Sequence, residues 1–304
     1  MIWFEQGGPL SLVVWLNQHL GPSCEPLVRA FHYAGQGVVY LLLLTPIYWV
    51  VDPALGRRLA LRFMASACLN SWTKSLALRP RPYQVSDAVQ PIVTERSPGL
   101  PSGHAQHATV VWGSVARWVR RPWVTVLVTV YCLAIGVSRL VAGVHYPQDV
   151  LVGWLLGLAL LWAAERAEAR WLPVLRTWSP RRQMELAAGL VLAAGLMTRL
   201  VALRRPETLT EAAAPLGMIL GLLFGIIAER GWLRYRPARG AGQRVLGAVL
   251  GLATLLGLYA GLVHRGQPVG LSFAAHTVLG LWIAVGVPAL LAAIRLGRKE
   301  SRDE

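Results

Sequence analysis

Residues 122–166 read PWVTVLVTVYCLAIGVSRLVAGVHYPQDVLVGWLLGLALLWAAER. Two apolar runs, 124–137 and 150–164, flank a short polar segment. A helix needs roughly 20 mostly apolar residues to cross a hydrocarbon core of about 30 Å, so this stretch predicts two membrane spans joined at one face. The pattern recurs along the chain, for example over 245–263. With 55% hydrophobic residues and a mean hydropathy of +0.47, the composition excludes an ordinary soluble domain.

Extending the reading gives an all-α, polytopic transmembrane bundle of about nine spans. Their approximate limits are 27–51, 57–79, 102–119, 122–144, 147–166, 183–203, 212–232, 243–263 and 270–294. Proline marks most junctions, including Pro53, Pro80, Pro82, Pro101, Pro122, Pro147, Pro180, Pro206, Pro237 and Pro268. The segment 1–20 lacks a basic start and is interrupted by Glu5 and Pro9, unlike a cleavable signal. Leu10–Leu20 is expected to lie at the interface, anchored by Trp15. Polar residues concentrate before about residue 178. The chain is therefore expected to divide into a five-span core, 1–175, and a four-helix transmembrane extension, 176–304.

The net charge of +15 is spread in short clusters between apolar runs, which fits membrane topology and not a nucleic-acid face. Twenty of the 30 basic residues fall in alternate turns around 57–62, 117–121, 166–182, 230–244 and 295–302. That bias places these turns in the cytoplasm, the N-terminus outside and the C-terminus inside. Cys24, Cys68 and Cys132 show no CxxC spacing and read as inert thiols. Gly217–Gly221 and Gly247–Gly251 have spacing suited to close helix packing.

Three polar clusters fall at the outer ends of spans two to five. Lys74 and Arg81 close the second span, Pro101-Ser102-Gly103-His104 opens the third, and Ser138-Arg139…His145…Asp149 joins the fourth to the fifth. Lys74, Arg81 and Arg139 form a set of cations suited to a phosphate with about two negative charges. Ser102 and Gly103 stand where a helix begins, so unpaired backbone amides there can hold phosphate oxygens. Asp149, in the first turn after Pro147, can reach back to His145 and fix its tautomer for attack on phosphorus. His104, from another helix, can protonate the leaving oxygen. This chemistry calls for no metal or other cofactor, and Asp149 is the only carboxylate in the clusters, which argues against a two-metal site.

The pattern K-x6-R-P, P-S-G-H and S-R-x5-H-x3-D resembles the signature of the type 2 phosphatidic acid phosphatase superfamily over roughly residues 1–170. The resemblance implies a helical-bundle phosphatase in which a phosphohistidine forms on His145, with His104 as acid. Lys74, Arg81, Ser102, Gly103 and Arg139 would then bind phosphate. The layout is similar to bacterial undecaprenyl pyrophosphate phosphatases of this superfamily, although the four spans after the core are additional. The expected activity is hydrolysis of a lipid phosphate: undecaprenyl pyrophosphate, phosphatidic acid or phosphatidylglycerol phosphate. The expected setting is the extracytoplasmic face of a bacterial inner membrane, with the bilayer and its lipids as partners, no nucleic acid, and an oligomer compatible with the sequence. Competing readings are a lipid phosphotransferase at the same site and an anionic-lipid transporter or flippase. A third reading gives the last four spans a role in dimerisation or stability only.

Other polar residues read more plainly. His107 shares a helix face with His104 and is expected to be packed or hydrogen-bonded. His19 and His32 have no partner visible in sequence, while His264 and His276 only faintly echo a site. Asp87 and Glu95 lie in the polar loop 80–100, either steering a headgroup or solvated.

Overall fold

The computed structural model describes residues 8–299; residues 1–7 and 300–304, which include Glu5 and the basic residue Arg302, lie outside the described residues. Among the described residues the chain is predominantly helical. The helices are α1 (Gly8–Ala34), α2 (Gly37–Pro46), α3 (Pro53–Ala77), α4 (Pro82–Val85), α5 (Gly103–Val119) and α6 (Pro122–Val141). They continue with α7 (Pro147–Arg176), α8 (Pro180–Val201), α9 (Glu207–Ala228), α10 (Ala241–Leu262), α11 (Val269–Leu281) and α12 (Val287–Ala293). Two short strands, β1 (Tyr235–Pro237) and β2 (Gly297–Lys299), pair antiparallel.

Six helices are long and apolar enough to cross a membrane, or seven if the bent pair at the N-terminus is one span, so this is a multi-pass membrane protein. Helices occupy all nine expected span regions, but two fall short of that standard for visible reasons. The first, α3, carries Arg57, Arg58, Arg62 and Lys74, whereas α5 has only 17 residues and includes His104, Gln106 and His107. The expected interfacial segment and first span are also arranged differently. Residues 8–34 form one helix through Pro22 and Pro26, and the break falls at Gly35–Gln36, with a 60° bend to the next helix. Leucines and valines of α6 and α8, such as Val126, Leu127, Leu190 and Leu192, are exposed, as a hydrocarbon solvent requires.

Cα packing groups the chain into two units, residues 1–40 with 69–164 and residues 41–68 with 165–304. In the first unit, Gly153 and Gly157 let α7 approach α5 closely. A Cβ on Gly153 would lie 2.7 Å from the Ser102 carbonyl, and one on Gly157 would lie 2.8 Å from Thr109 Cβ. That approach sets the start of α5 beside the start of α7.

The second unit has a core around Tyr48, Trp49, Leu222, Leu279 and Ile283. A π turn at Trp282–Gly286 interrupts the regular helical ladder, and two carbonyls there accept side-chain bonds. Trp49 Nε1 donates to Ile283 O at 2.9 Å, and the Tyr48 hydroxyl donates to Ala284 O at 2.8 Å. Gly217 and Gly221 meet the carbonyls of Phe273 and Thr277 at Cβ distances of 2.2 and 2.1 Å, so α9 and α11 pack backbone to backbone there.

Candidate active site

The three sequence clusters meet in the first unit. Lys74 stands in the last turn of α3, Arg81 just before α4, Ser102 at the N-cap of α5, Arg139 in the last turn of α6, and His145 just before α7. Asp149 occupies the first turn of α7 and accepts the Tyr146 amide at 2.8 Å on Oδ2, closing the helix start. The same oxygen lies 3.4 Å from His145 Nδ1. Asp149 also accepts the Ser102 amide on its backbone oxygen at 2.9 Å, which ties the start of α7 to the start of α5.

The His145 tautomer follows from its partners. Arg81 Nη1 lies 3.3 Å from His145 Nε2, and a guanidinium only donates, so Nε2 presents its lone pair. Nδ1 then carries the proton and donates to Asp149. Burial, and after it the charges of Arg81, Lys74 and Arg139, hold His145 well below the ordinary histidine value of 6.5. The imidazole is therefore neutral at pH 7, with its nucleophilic nitrogen facing cations.

Each cation is engaged by the loop that precedes α5. Lys74 Nζ donates to Pro98 O. Arg81 donates through Nε to Ser97 O at 2.8 Å and through Nη2 to Pro98 O at 3.3 Å, while Nη1 reaches Val144 O at 2.9 Å. Arg139 Nη2 donates to Glu95 Oε1 at 3.2 Å, and its buried Nε has no partner among the described residues. These carbonyl and carboxylate oxygens accept hydrogen bonds from all three cations. Counting Lys74, Arg79, Arg81 and Arg139 against Glu95 and Asp149 leaves two positive charges. A phosphate with about two negative charges would neutralise that excess.

Sequence reasoning did not find several residues that shape this site. Arg79 Nη1 donates to Asp149 Oδ1 at 3.3 Å and stacks 4.5 Å over the Tyr146 ring. Its membership of the Arg79-Pro80-Arg81-Pro82 run was the only sequence signal. Asn70 donates to Gln106 Oε1 at 2.9 Å and stands against Gly103, where a Cβ would be 3.2 Å from its oxygen. His32, which has no partner visible in sequence, lies 3.4 Å from Arg139 Nη1 and stacks on His104 at 5.4 Å. Glu95 accepts from Arg139 and so is part of the site, not merely solvated.

His104 is held differently from a freely presented acid. Its Nε2 donates to His32 O at 3.0 Å, and its ring lies so close to Gly35 that a Cβ there would be 2.1 Å from Cδ2. His32, Glu95 and His104 each offer one possible ligand atom, all within 4.8 Å of one another. Arg139 already supplies positive charge to this group, and His104 Nε2 is committed as a donor, so a divalent cation fits poorly there.

The first unit of this multi-pass membrane protein thus sets a buried histidine–carboxylate pair beside a cluster of buried cations. A family model described as the PAP2 superfamily matches residues 56–172. A second, described as a PAP2 superfamily phosphatase transmembrane extension, matches residues 213–300. The chain carries a PAP2 superfamily domain followed by a PAP2 phosphatase transmembrane extension. Among curated proteins, it is 32% identical over 107 residues to undecaprenyl-diphosphatase of Sulfolobus acidocaldarius, covering 34% of this chain and 50% of that protein. It is 32% identical over 114 residues to phosphatidylglycerophosphatase B of Bacillus subtilis, covering 34% of this chain and 54% of that protein. The chain thus spans about half the length of the curated relatives it matches. The crystal structure of Aquifex aeolicus LpxE is similar at a TM-score of 0.48 and 24% identity, over 53% of this chain and 98% of that one.

Proposed function

We propose that the chain hydrolyses the phosphate of a membrane lipid phosphate or pyrophosphate through a covalent phosphohistidine on His145. The observation that carries this reading is the orientation of His145: Asp149 takes one ring nitrogen, and the other faces Arg81 within a group of buried cations. Nε2 attacks phosphorus while Lys74, Arg81, Arg139 and the first amides of α5, near Ser102 and Gly103, hold the oxygens. His104, released from the His32 carbonyl and carrying a second ring proton as the imidazolium, gives one proton to the leaving oxygen and becomes neutral. The bond from phosphorus to the leaving group breaks as the bond to Nε2 forms. Water then cleaves that new bond with His104 accepting its proton, releasing phosphate and regenerating the imidazole. The chemistry needs no resident cofactor.

Its substrate class is undecaprenyl pyrophosphate or a glycerophospholipid phosphate, as the names of the relatives suggest for a site of this kind. Charge counting supports a site on the extracytoplasmic face of a bacterial inner membrane, with the N-terminus outside. In this reading residues 1–175 carry the chemistry and residues 176–304 form the extension. The test is a phosphate-release panel across prenyl pyrophosphate, phosphatidic acid, phosphatidylglycerol phosphate and sphingoid phosphates, together with trapping of an acid-labile, base-stable phosphoenzyme. Release by wild type and loss of both signals in His145→Ala is expected. No release from any lipid overturns the reading, and phosphate appearing on a second lipid identifies transfer instead.

A further inference from the structure

The second unit holds another cationic centre, separate in composition from the site above. A cavity of about 620 Å³ is lined by Arg57, Arg176, Arg230, Arg234 and Arg236, together with Asp52 and Glu229. Both carboxylates are already engaged. Asp52 Oδ1 accepts the Ala54 and Leu55 amides at 2.7 and 3.1 Å and so caps α3. Glu229 accepts from Arg57 Nη1 at 3.2 Å and from the Tyr235 amide at 2.7 Å. Five cations against two carboxylates leave an excess of three positive charges. The Nε of Arg57, buried and without a hydrogen-bond partner among the described residues, adds an unused donor.

A second cavity, of about 230 Å³, adjoins it in composition: Arg57, Arg176 and Arg230 line both. Its remaining lining is largely apolar, with Leu172, Leu186, Leu190, Leu223 and Ile227. A basic chamber continuous with an apolar groove complements one kind of ligand, an anionic head on a hydrocarbon chain. Free phosphate would leave the groove unused, whereas an uncharged lipid would leave the arginines unneutralised. Among the described residues no histidine, cysteine or serine lines either cavity, and the two carboxylates of the basic chamber already accept hydrogen bonds, which suits binding.

The geometry points to a binding site for a phosphate-headed membrane lipid in the second unit, with the phosphate among Arg57, Arg176 and Arg230 and a chain along the Leu172–Leu190–Leu223 groove. All of these arginines belong to the turns that charge counting assigns to the cytoplasm, so the site would sample the cytoplasmic leaflet. The orientation rests on the topology proposed above; the binding site stands on the second unit alone.

The test uses the full chain carrying His145→Ala, so that no probe is consumed, in phosphatidylcholine nanodiscs. Phosphatidic acid and phosphatidylcholine bearing the same diazirine-labelled acyl chain are photolysed in turn, and labelled peptides are mapped by mass spectrometry. Peptides containing Leu172, Leu190 or Leu223 should carry about tenfold more phosphatidic acid than phosphatidylcholine label. The pair Arg176→Gln and Arg230→Gln should remove that excess while the thermal unfolding midpoint is kept. Leu190→Trp, which fills the groove and leaves the charge intact, should also lower it. Equal labelling by the two probes, or an excess that survives both variants, overturns the proposal. So does protection of Arg230 from chemical modification by inorganic phosphate with the groove left unlabelled, which would indicate a free-anion site. A wild type that releases no phosphate from any lipid would refute the hydrolase reading and leave this measurement intact.

Discussion

The two cationic centres differ in what surrounds the charge. In the first unit, Arg81 and Arg139 are almost wholly buried, and a polarised histidine lies within hydrogen-bonding distance of one of them. In the second, Arg57 keeps some exposure, Arg176 and Arg234 are exposed, and the neighbours are leucines. Burying a cation costs several kcal/mol unless an anion or a full set of acceptors compensates it. The first unit meets that cost with a loop that supplies Ser97, Pro98 and Glu95 oxygens. The second leaves more of its charge to solvent. The two centres thus hold comparable charge in different settings, and under the proposed mechanism only the first sets an oriented histidine beside it.

That contrast can be broken most severely at His145. Changing it to Ala should lower phosphate release by about 10⁴-fold or more, because a nucleophile has no substitute in a covalent mechanism, while lipid labelling of the second unit persists. Asp149→Asn should cost about 10³-fold in kcat, since the amide no longer holds the Nδ1–H tautomer, and unfolding measurements should show the fold retained. Arg81→Gln should cost about 10²-fold in kcat/KM, and it should also move the pH profile. Arg81 is the largest charge effect depressing His145 after burial, so its removal raises that histidine towards 6.5. The acid limb of kcat/KM, which reports protonation of the nucleophile, should lie below pH 6.5 in wild type and shift upward in the variant.

Gly35→Ala should displace the His104 ring that lies against it, lowering kcat by about tenfold with KM little changed. The smallest effect is expected at Gly221→Ala. Its methyl would meet the Thr277 carbonyl, reducing stability by about 1–3 kcal/mol in a thermal melt without altering the pH profile.

The pairing of His145 with Asp149 was legible because its spacing is local. Asp149 follows His145 by four positions across the start of a proline-led helix, and Ser102-Gly103-His104 announces a helix N-terminus by composition. The helix regions were legible from apolar runs and prolines. The bend at Gly35–Gln36 was not, since Pro22 and Pro26 looked like stronger breaks and yet lie inside α1. Partnerships across long sequence separations were equally hidden. Arg79 meets Asp149 from 70 residues away, and His32 meets Arg139 from 107, with no periodicity to reveal either. The second cationic centre read only as a set of topology signals, because its arginines are scattered over nearly 180 positions and meet only through packing.

Asn17 draws a practical boundary around the enzyme. Its side-chain amide donates to the carbonyls of Gln90 and Val141, both at 2.9 Å, and its oxygen accepts the Gln90 amide at 2.9 Å. One residue of α1 thus pins the loop bearing Glu95 and the hinge leading to His145. The recognisable family pattern begins only at residue 56, well after Asn17. A fragment trimmed to that pattern would keep every signature residue while losing the peg that ties these two segments together.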